Sequence, residues 1–222
     1  MTRVVLKLGG RVATAAARHA VELHDAGNEV VVVHGAGPQI TAILHERGIP
    51  VRFRGGRRVT DPATLAVVRA SLVAVGAEVS AALGPTALPL IGDEIGLRAR
   101  HLPELGLVGE PLPCRPAAVE DALAAGRIPV VTPIAVGPLN VNADEAATAL
   151  AVGLEADRIA FVSDVPGVYV EGAVVDRLQA DHAHELLDAG AFEGGIVPKL
   201  LAAVRAARLG IRTEIGETAV VA

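Results

Sequence analysis

Apolar positions follow two rhythms along this chain. Short β-branched runs such as Val30-Val31-Val32-Val33 and Ile128-Pro129-Val130-Val131 alternate with longer alanine- and leucine-rich segments of helical period. That alternation is the pattern of a mainly parallel sheet covered by helices. It predicts strands at 3–8, 29–34, 87–91, 128–132, 158–163 and 211–215, and helices at 12–26, 37–47, 62–82, 116–125, 143–155, 181–189 and 196–209. Thr60-Asp61-Pro62 marks one helix start, because proline is tolerated at a first helical position, where an N–H has no partner in the helix. The strands are expected to form one continuous sheet. In open α/β sheets ligands bind beyond the carboxyl ends of the strands, and several polar motifs of the chain directly follow a predicted strand. The chemistry is expected there.

Composition narrows the classes that this pattern leaves open. The chain has 222 residues, 51% hydrophobic and 20% charged, enough for a full core, and no Ser/Gly/Pro-rich linker or charge block divides it. A single α/β unit is expected. A net charge of −5 and only 2% aromatic residues offer a polyanion neither a basic footprint nor stacking platforms, so no nucleic-acid partner is expected. The lone Cys114 cannot form an internal disulfide, and the first residues run straight into a strand without a charged and apolar leader. A cytoplasmic location is expected. Apolar runs such as Ile128-Pro129-Val130-Val131 fall far short of the roughly 20 residues of a membrane span, so no membrane segment is expected.

Candidate chemistry begins with Leu139-Asn140-Val141-Asn142-Ala143-Asp144-Glu145-Ala146-Ala147, which sets several polar side chains at a helix entrance. Asn142 can cap that helix, with Glu145 reaching back as in a capping box. Asn140 and Asp144 remain unexplained by capping, and the Asp144 carboxylate could organise cations. Two candidates are Lys7, in Lys7-Leu8-Gly9-Gly10, and Lys199, in Gly194-Gly195-Ile196-Val197-Pro198-Lys199. A lysine near a helix start is unfavourable against the helix dipole, so an anionic partner would explain Lys199. The glycine loops Gly9-Gly10 and His34-Gly35-Ala36-Gly37-Pro38 can bring backbone amides and a helix N-terminus to a phosphate. A dinucleotide fingerprint is disfavoured, since its third glycine would fall at Ile40, and no Gly-x-x-x-x-Gly-Lys-Ser/Thr loop occurs. Arg57-Arg58 reads from spacing alone as a solvated basic turn, although a guanidinium is well suited to a carboxylate. Ser163-Asp164-Val165-Pro166-Gly167-Val168 ends a hydrophobic strand in a turn that could line a nucleotide pocket.

Together these motifs, with Gly56-Arg57-Arg58-Val59-Thr60-Asp61 and Leu105-Gly106-Leu107-Val108-Gly109-Glu110, resemble in their order the acetylglutamate kinases of the amino acid kinase family over nearly the whole chain. The resemblance implies a three-layer α/β/α sandwich with a mainly parallel central sheet. It implies one domain over 1–222, the part to about 135 binding the acceptor and dimerising, and the part from about 136 binding ATP. The implied reaction moves the γ-phosphoryl of ATP to the side-chain carboxylate of N-acetyl-L-glutamate, in arginine biosynthesis. Lys7 and Lys199 would stabilise the moving group and Asp144 would hold both lysines. Ala36 and Gly37 would offer amides, Arg58 would grip the α-carboxylate, and Asn140 would bind the α-carboxylate or the acetamido part. Gly9, Gly10, Asp164, Val165, Pro166, Gly167, Phe192 and Gly195 would lie on the ATP side, and Mg²⁺ would ride on the phosphates rather than in an all-protein cage.

The chain also departs from the family pattern. Ala36 stands where a glycine is usual, so its methyl is expected to crowd the substrate. The chain is shorter than is typical, ending soon after 211–215, and no N-terminal helix precedes the first strand. A homodimer pairing through 62–82 and insensitive to arginine is therefore expected. The short segment after Gly10 leaves little room for a substrate-covering hairpin. Two alternatives are a sibling kinase acting on carrier-protein-linked aminoadipate or glutamate, and a sensor that binds ATP without turnover. The pair His182 and His184 lacks companion metal ligands, and His34 reads as a packing residue.

Overall fold

The computed structural model describes residues 1–9, 13–162 and 164–222. Its elements run β1 (Arg3–Leu8), α1 (Ala13–Asp25), β2 (Glu29–His34), α2 (Gly37–Glu46), β3 (Phe53–Arg54), β4 (Arg57–Arg58), α3 (Pro62–Leu83), β5 (Ala87–Ile91), β6 (Ala99–His101), β7 (Val108–Pro111), α4 (Ala117–Ala124) and β8 (Ile128–Thr132). They continue with β9 (Ile134–Ala135), β10 (Leu139–Val141), α5 (Ala143–Gly153), β11 (Arg158–Val162), β12 (Tyr169–Val170), β13 (Ala173–Val174), β14 (Arg177–Gln179), α6 (Ala180–Asp188), α7 (Ile196–Arg208), β15 (Arg212–Ile215) and β16 (Thr218–Val221). Every helix and strand expected from periodicity is present, with ends shifted by a residue or two.

Eight strands form the central sheet in the order β14-β16-β15-β11-β1-β2-β8-β5. All its pairings are parallel except β15 with β16. Helices α1 to α3 pack on one another and on one face; α5 and α7 pack together on the other, with α6 against α7. The strand pleat explains the two cores. Val4, Leu6 and Leu8 of β1 and Val30 and Val32 of β2 join the cluster under α1–α3, whereas Val5, Val31 and Val33 join the cluster under α5 and α7. Lys7 lies two residues beyond Val5 and so inherits the α5/α7 face.

A single continuous sheet does not form. A second sheet, β6-β7-β10-β9, and the two-stranded ribbons β3–β4 and β12–β13 stand apart from the first. Their strands are two to four residues long, too short for a period-2 signal. The β3–β4 ribbon is a hairpin at 53–58, away from the short segment after Gly10, of which 10–12 lie outside the described residues.

Helix α3 is 22 residues long and, by length and composition, apolar enough to cross a membrane, a threshold the strand runs miss. In this fold it lies against β2, β5 and β8 and beside α1 and α2, burying Leu65, Val68, Leu72, Val75, Val79 and Leu83. Its start is fixed locally: the Asp61 side chain accepts from the Thr64 N–H, and Pro62 follows the cap.

Candidate active site

Three charged side chains from distant parts of the chain meet beyond the ends of β1 and β10. The Asp144 carboxylate, in the first turn of α5, accepts through one oxygen, Oδ1, from Lys7 Nζ at 2.9 Å and Lys199 Nζ at 3.1 Å. Lys7, Asp144 and Lys199 are 7%, 6% and 6% exposed. Asn142 positions the acid by capping α5, its Oδ1 accepting from the N–H groups of Asp144 and Glu145. Thr148 ties α5 to α7 by donating to the carbonyls of Asp144 and Ala202.

Electrostatics favour the charged cluster only because its members share it. Burial alone would raise the Asp144 pKa, but the two lysines more than reverse this and hold it below the ordinary value. Burial, aided by the like charge of Lys7, brings Lys199 down to about 8 against the pull of Asp144. One carboxylate facing two ammonium groups leaves a net positive charge on largely buried side chains, a setting for an anion.

Backbone amides supply a second attraction. The Gly35 N–H donates to Leu8 O and the Gly9 N–H donates to Val162 O, so neither is open to a ligand. Those of Ala36 and Gly37, at the start of α2, enter no backbone hydrogen bond among the described residues. Both residues line the same cavity as the lysines. Ala36 is buried, its methyl within the cluster that includes Ile40 and Leu72.

Arg58, at the end of the β3–β4 ribbon, is not the solvated turn residue that spacing suggested. It is 7% exposed, with Nη2 donating to Gly37 O (3.3 Å) and Thr41 Oγ1 (2.9 Å) and the guanidinium 4.6 Å from the Phe53 ring centre. Among the described residues its buried Nη1 has no hydrogen-bond partner, an arrangement suited to an incoming anion. Arg57 is likewise engaged: its Nε and Nη2 bond Glu145 at 2.9 to 3.1 Å. Glu145 therefore does not close a capping box; its carboxylate is drawn to a cation on another element. At the ribbon's tip Gly56 has φ +74°, and a Cβ there would stand 3.1 Å from Pro198 Cβ, so the ribbon rests on the start of α7.

These groups surround a cavity of about 700 Å³. Of the predicted residues, Lys7, Ala36, Gly37, Arg58, Asn140, Asp144, Gly195 and Lys199 line it. Gly9, Asp164, Val165, Pro166, Gly167 and Phe192 do not. Gly9 and the 164–167 turn instead follow the adjacent strands β1 and β11, and the turn is stitched to the β15–β16 hairpin through Glu217 N–H to Pro166 O and Val168 N–H to Thr218 Oγ1. Gly10 and Ser163 lie outside the described residues. Sequence reasoning missed Phe53, Thr41, Leu72 and Val108 of the cavity wall. Thr41 carried a signal, one helical turn after Gly37, and Val108 lay within the 105–110 motif; Phe53 and Leu72 carried none.

Elsewhere, no group of three or more potential metal-ligating side chains occurs among the described residues. His182 and His184 lie near Glu185 and Asp188 on their own helix. His34 is wholly buried, and that burial lowers its pKa to about 4, which fits a neutral packing residue.

Known proteins share both this sequence and this fold. The amino acid kinase family model matches residues 2–217. The acetylglutamate kinase of Saccharopolyspora erythraea is 43% identical over 94% of this chain and 77% of its own length. That of Rubrobacter xylanophilus is 38% identical over 97% of this chain and 88% of its own. Among solved structures, a Streptococcus mutans protein superposes with a TM-score of 0.90 at 28% identity, covering 99% of this chain and 98% of that one. A carbamate kinase from Giardia lamblia bound to AMP-PNP gives 0.75 at 17% identity, with 99% and 98% covered, a likeness of fold.

Proposed function

Because the chain belongs to the amino acid kinase family, we propose that it transfers the γ-phosphoryl of ATP to the side-chain carboxylate of N-acetyl-L-glutamate, a step of arginine biosynthesis carried out in the cytoplasm. The observation that carries this reading is the buried Lys7–Asp144–Lys199 cluster sharing one cavity with the partly unpartnered Arg58 guanidinium. Relatives named acetylglutamate kinase support the choice of acceptor.

The chemistry needs no proton transfer. A carboxylate is ionised at neutral pH; one of its oxygens bonds to the γ-phosphorus while the bond from that phosphorus to the β–γ bridging oxygen breaks, and ADP leaves with the electron pair. The obstacle is repulsion between two anions, which positioning and fixed positive charge reduce. Lys7 and Lys199 would face the transferring group, with Asp144 holding them in place. The amides of Ala36 and Gly37 would add donors, Arg58 would take the α-carboxylate, and Asn140 would meet the same end of the acceptor. Gly9, Gly10, Asp164 to Gly167, Phe192 and Gly195 would flank the nucleotide.

Magnesium would neutralise phosphate charge. The described residues offer it no cage, and Asp144 is already engaged by two lysines, so the ion would be carried by the nucleotide. Two copies would pair through the outward face of α3, where Ala66, Ala70, Val73, Ala74 and Ala77 are exposed; light scattering showing a stable monomer would remove that part.

Hydroxylamine trapping of the ATP-dependent acyl phosphate tests the reading. N-acetyl-L-glutamate is expected to outrun glutamate, aspartate, N-acetylaspartate and aminoadipate. Activity on another acid alone would keep the mechanism and change the acceptor, and ATP binding without turnover on any acid would overturn both.

A further inference from the structure

Thr60 does not line the cavity, yet its hydroxyl sits between two residues that do. Its backbone is fixed from both sides: the N–H donates to Leu105 O at 2.9 Å and the carbonyl accepts from Leu107 N–H at 2.7 Å. The residue is fully buried, and a β-branched side chain has few rotamers to choose from. Its single hydroxyl proton goes to Arg58 O at 2.7 Å. Toward Asn140, 2.9 Å away, Oγ1 therefore has only lone pairs to offer. The Asn140 atom facing it must be the amide nitrogen, and the hydrogen-bond network alone fixes that choice, because oxygen and nitrogen of an amide have nearly the same shape. No hydrogen bond within the described protein uses Asn140 Oδ1.

We infer that Thr60 is a positioning residue that sets the polarity of the acceptor site, turning the Asn140 carbonyl oxygen toward the substrate and tethering the Arg58 backbone. An oxygen presented there accepts from an N–H and repels a carboxylate. Asn140 then reads the N–H of a secondary amide, and the carboxylate is left to Arg58, whose Nη1 has no partner. The inference rests on the proposed acceptor and resolves what the family resemblance left open, whether Asn140 meets the α-carboxylate or the acetamido group. The chemical class selected is an N-acylated amino acid that keeps its amide hydrogen.

The test compares N-acetyl-L-glutamate with 2-acetoxyglutarate, in which an ester oxygen replaces the N–H, for wild-type enzyme, Thr60→Val and Thr60→Ser. Wild type is expected to prefer the amide by roughly 100-fold or more in kcat/KM, since the bound ester covers the Asn140 carbonyl oxygen and leaves it unpaired. Thr60→Val keeps the shape and removes the hydroxyl. It is expected to raise KM for N-acetyl-L-glutamate about 10-fold, to leave kcat and the KM for ATP within about 3-fold, and to collapse the amide preference to a few-fold. Thr60→Ser should restore all three. A residue needed only for folding would not move the amide-to-ester ratio. Equal use of both compounds by wild type overturns this inference alone, even if Thr60→Val does not fold. Turnover of neither overturns the proposed acceptor and this inference with it.

Discussion

Replacing Asp144 by asparagine removes one negative charge and little volume, and its effect follows from the shared oxygen. Two ammonium groups bonded to one atom at 2.9 and 3.1 Å stand no more than about 6 Å apart, where unit charges repel by about 3 kcal/mol at an effective dielectric constant near 20. Breaking a buried ion pair by removing one partner costs about 3–5 kcal/mol. The protein can relieve this strain by giving up the Lys199 proton. That group is already at about 8 with Asp144 raising it, so loss of the carboxylate carries it lower and favours the neutral form. On either course a fixed positive charge on the transferring phosphoryl is weakened or misplaced, and losing one such stabilising group lowers kcat by roughly 100- to 1,000-fold. The assay is steady-state ADP release at pH 7 with both substrates saturating, alongside urea unfolding of the same variant. The expected result is a kcat at least about 100-fold lower with unfolding free energy reduced by about 3 kcal/mol. A variant retaining kcat within about 3-fold of wild type would refute the assignment of Asp144 as organiser of the lysines.

Activity and stability should respond to alkali in opposite directions. If the protonated Lys199 is the active form, kcat falls as pH rises through about 8. In the unfolded chain this lysine titrates at its ordinary value of 10.5, so between the two values the unfolded state binds the extra proton and the Lys199 contribution to stability increases with pH. A flat rate profile from pH 7 to 9 would contradict the first statement. Gly56→Ala introduces a side chain at φ +74° against Pro198, and should lower unfolding free energy by about 1–3 kcal/mol; unchanged urea stability would count against that contact. Arg58→Ala should raise KM for the acceptor by about 30-fold or more while the KM for ATP stays within about 3-fold, since the buried cation proposed to meet the carboxylate is lost; equal changes in both would place Arg58 elsewhere in the reaction.

Much of the architecture was legible locally, and the exceptions share a cause. The strands of the central sheet flanked by helices announced themselves by β-branched runs long enough to show a pattern. Helix starts at Asp61-Pro62 and Asn142 announced themselves by cap chemistry, since these signals act within three or four residues. The strands β6, β7, β9 and β10 are shorter than the window in which alternation can be read. Glu145 shows the same limit from the other side: capping geometry offered it a partner three residues back, and the fold brought Arg57 closer to its carboxylate. Gly9 looked like an open anion-binding amide until the register of β1 with β11 gave its N–H to Val162.

The sequence by itself determined the element types, the capping residues and the set of side chains able to neutralise a phosphoryl group, because each depends on backbone preference or on functional-group chemistry. Tertiary structure alone decided that Lys7 and Lys199 share one Asp144 oxygen, that Arg58 is buried with Nη1 unpartnered, and that Thr60 orients Asn140. Those facts depend on sheet register and helix packing between residues far apart in the chain. Their energies arise only once water has been excluded from around the charges.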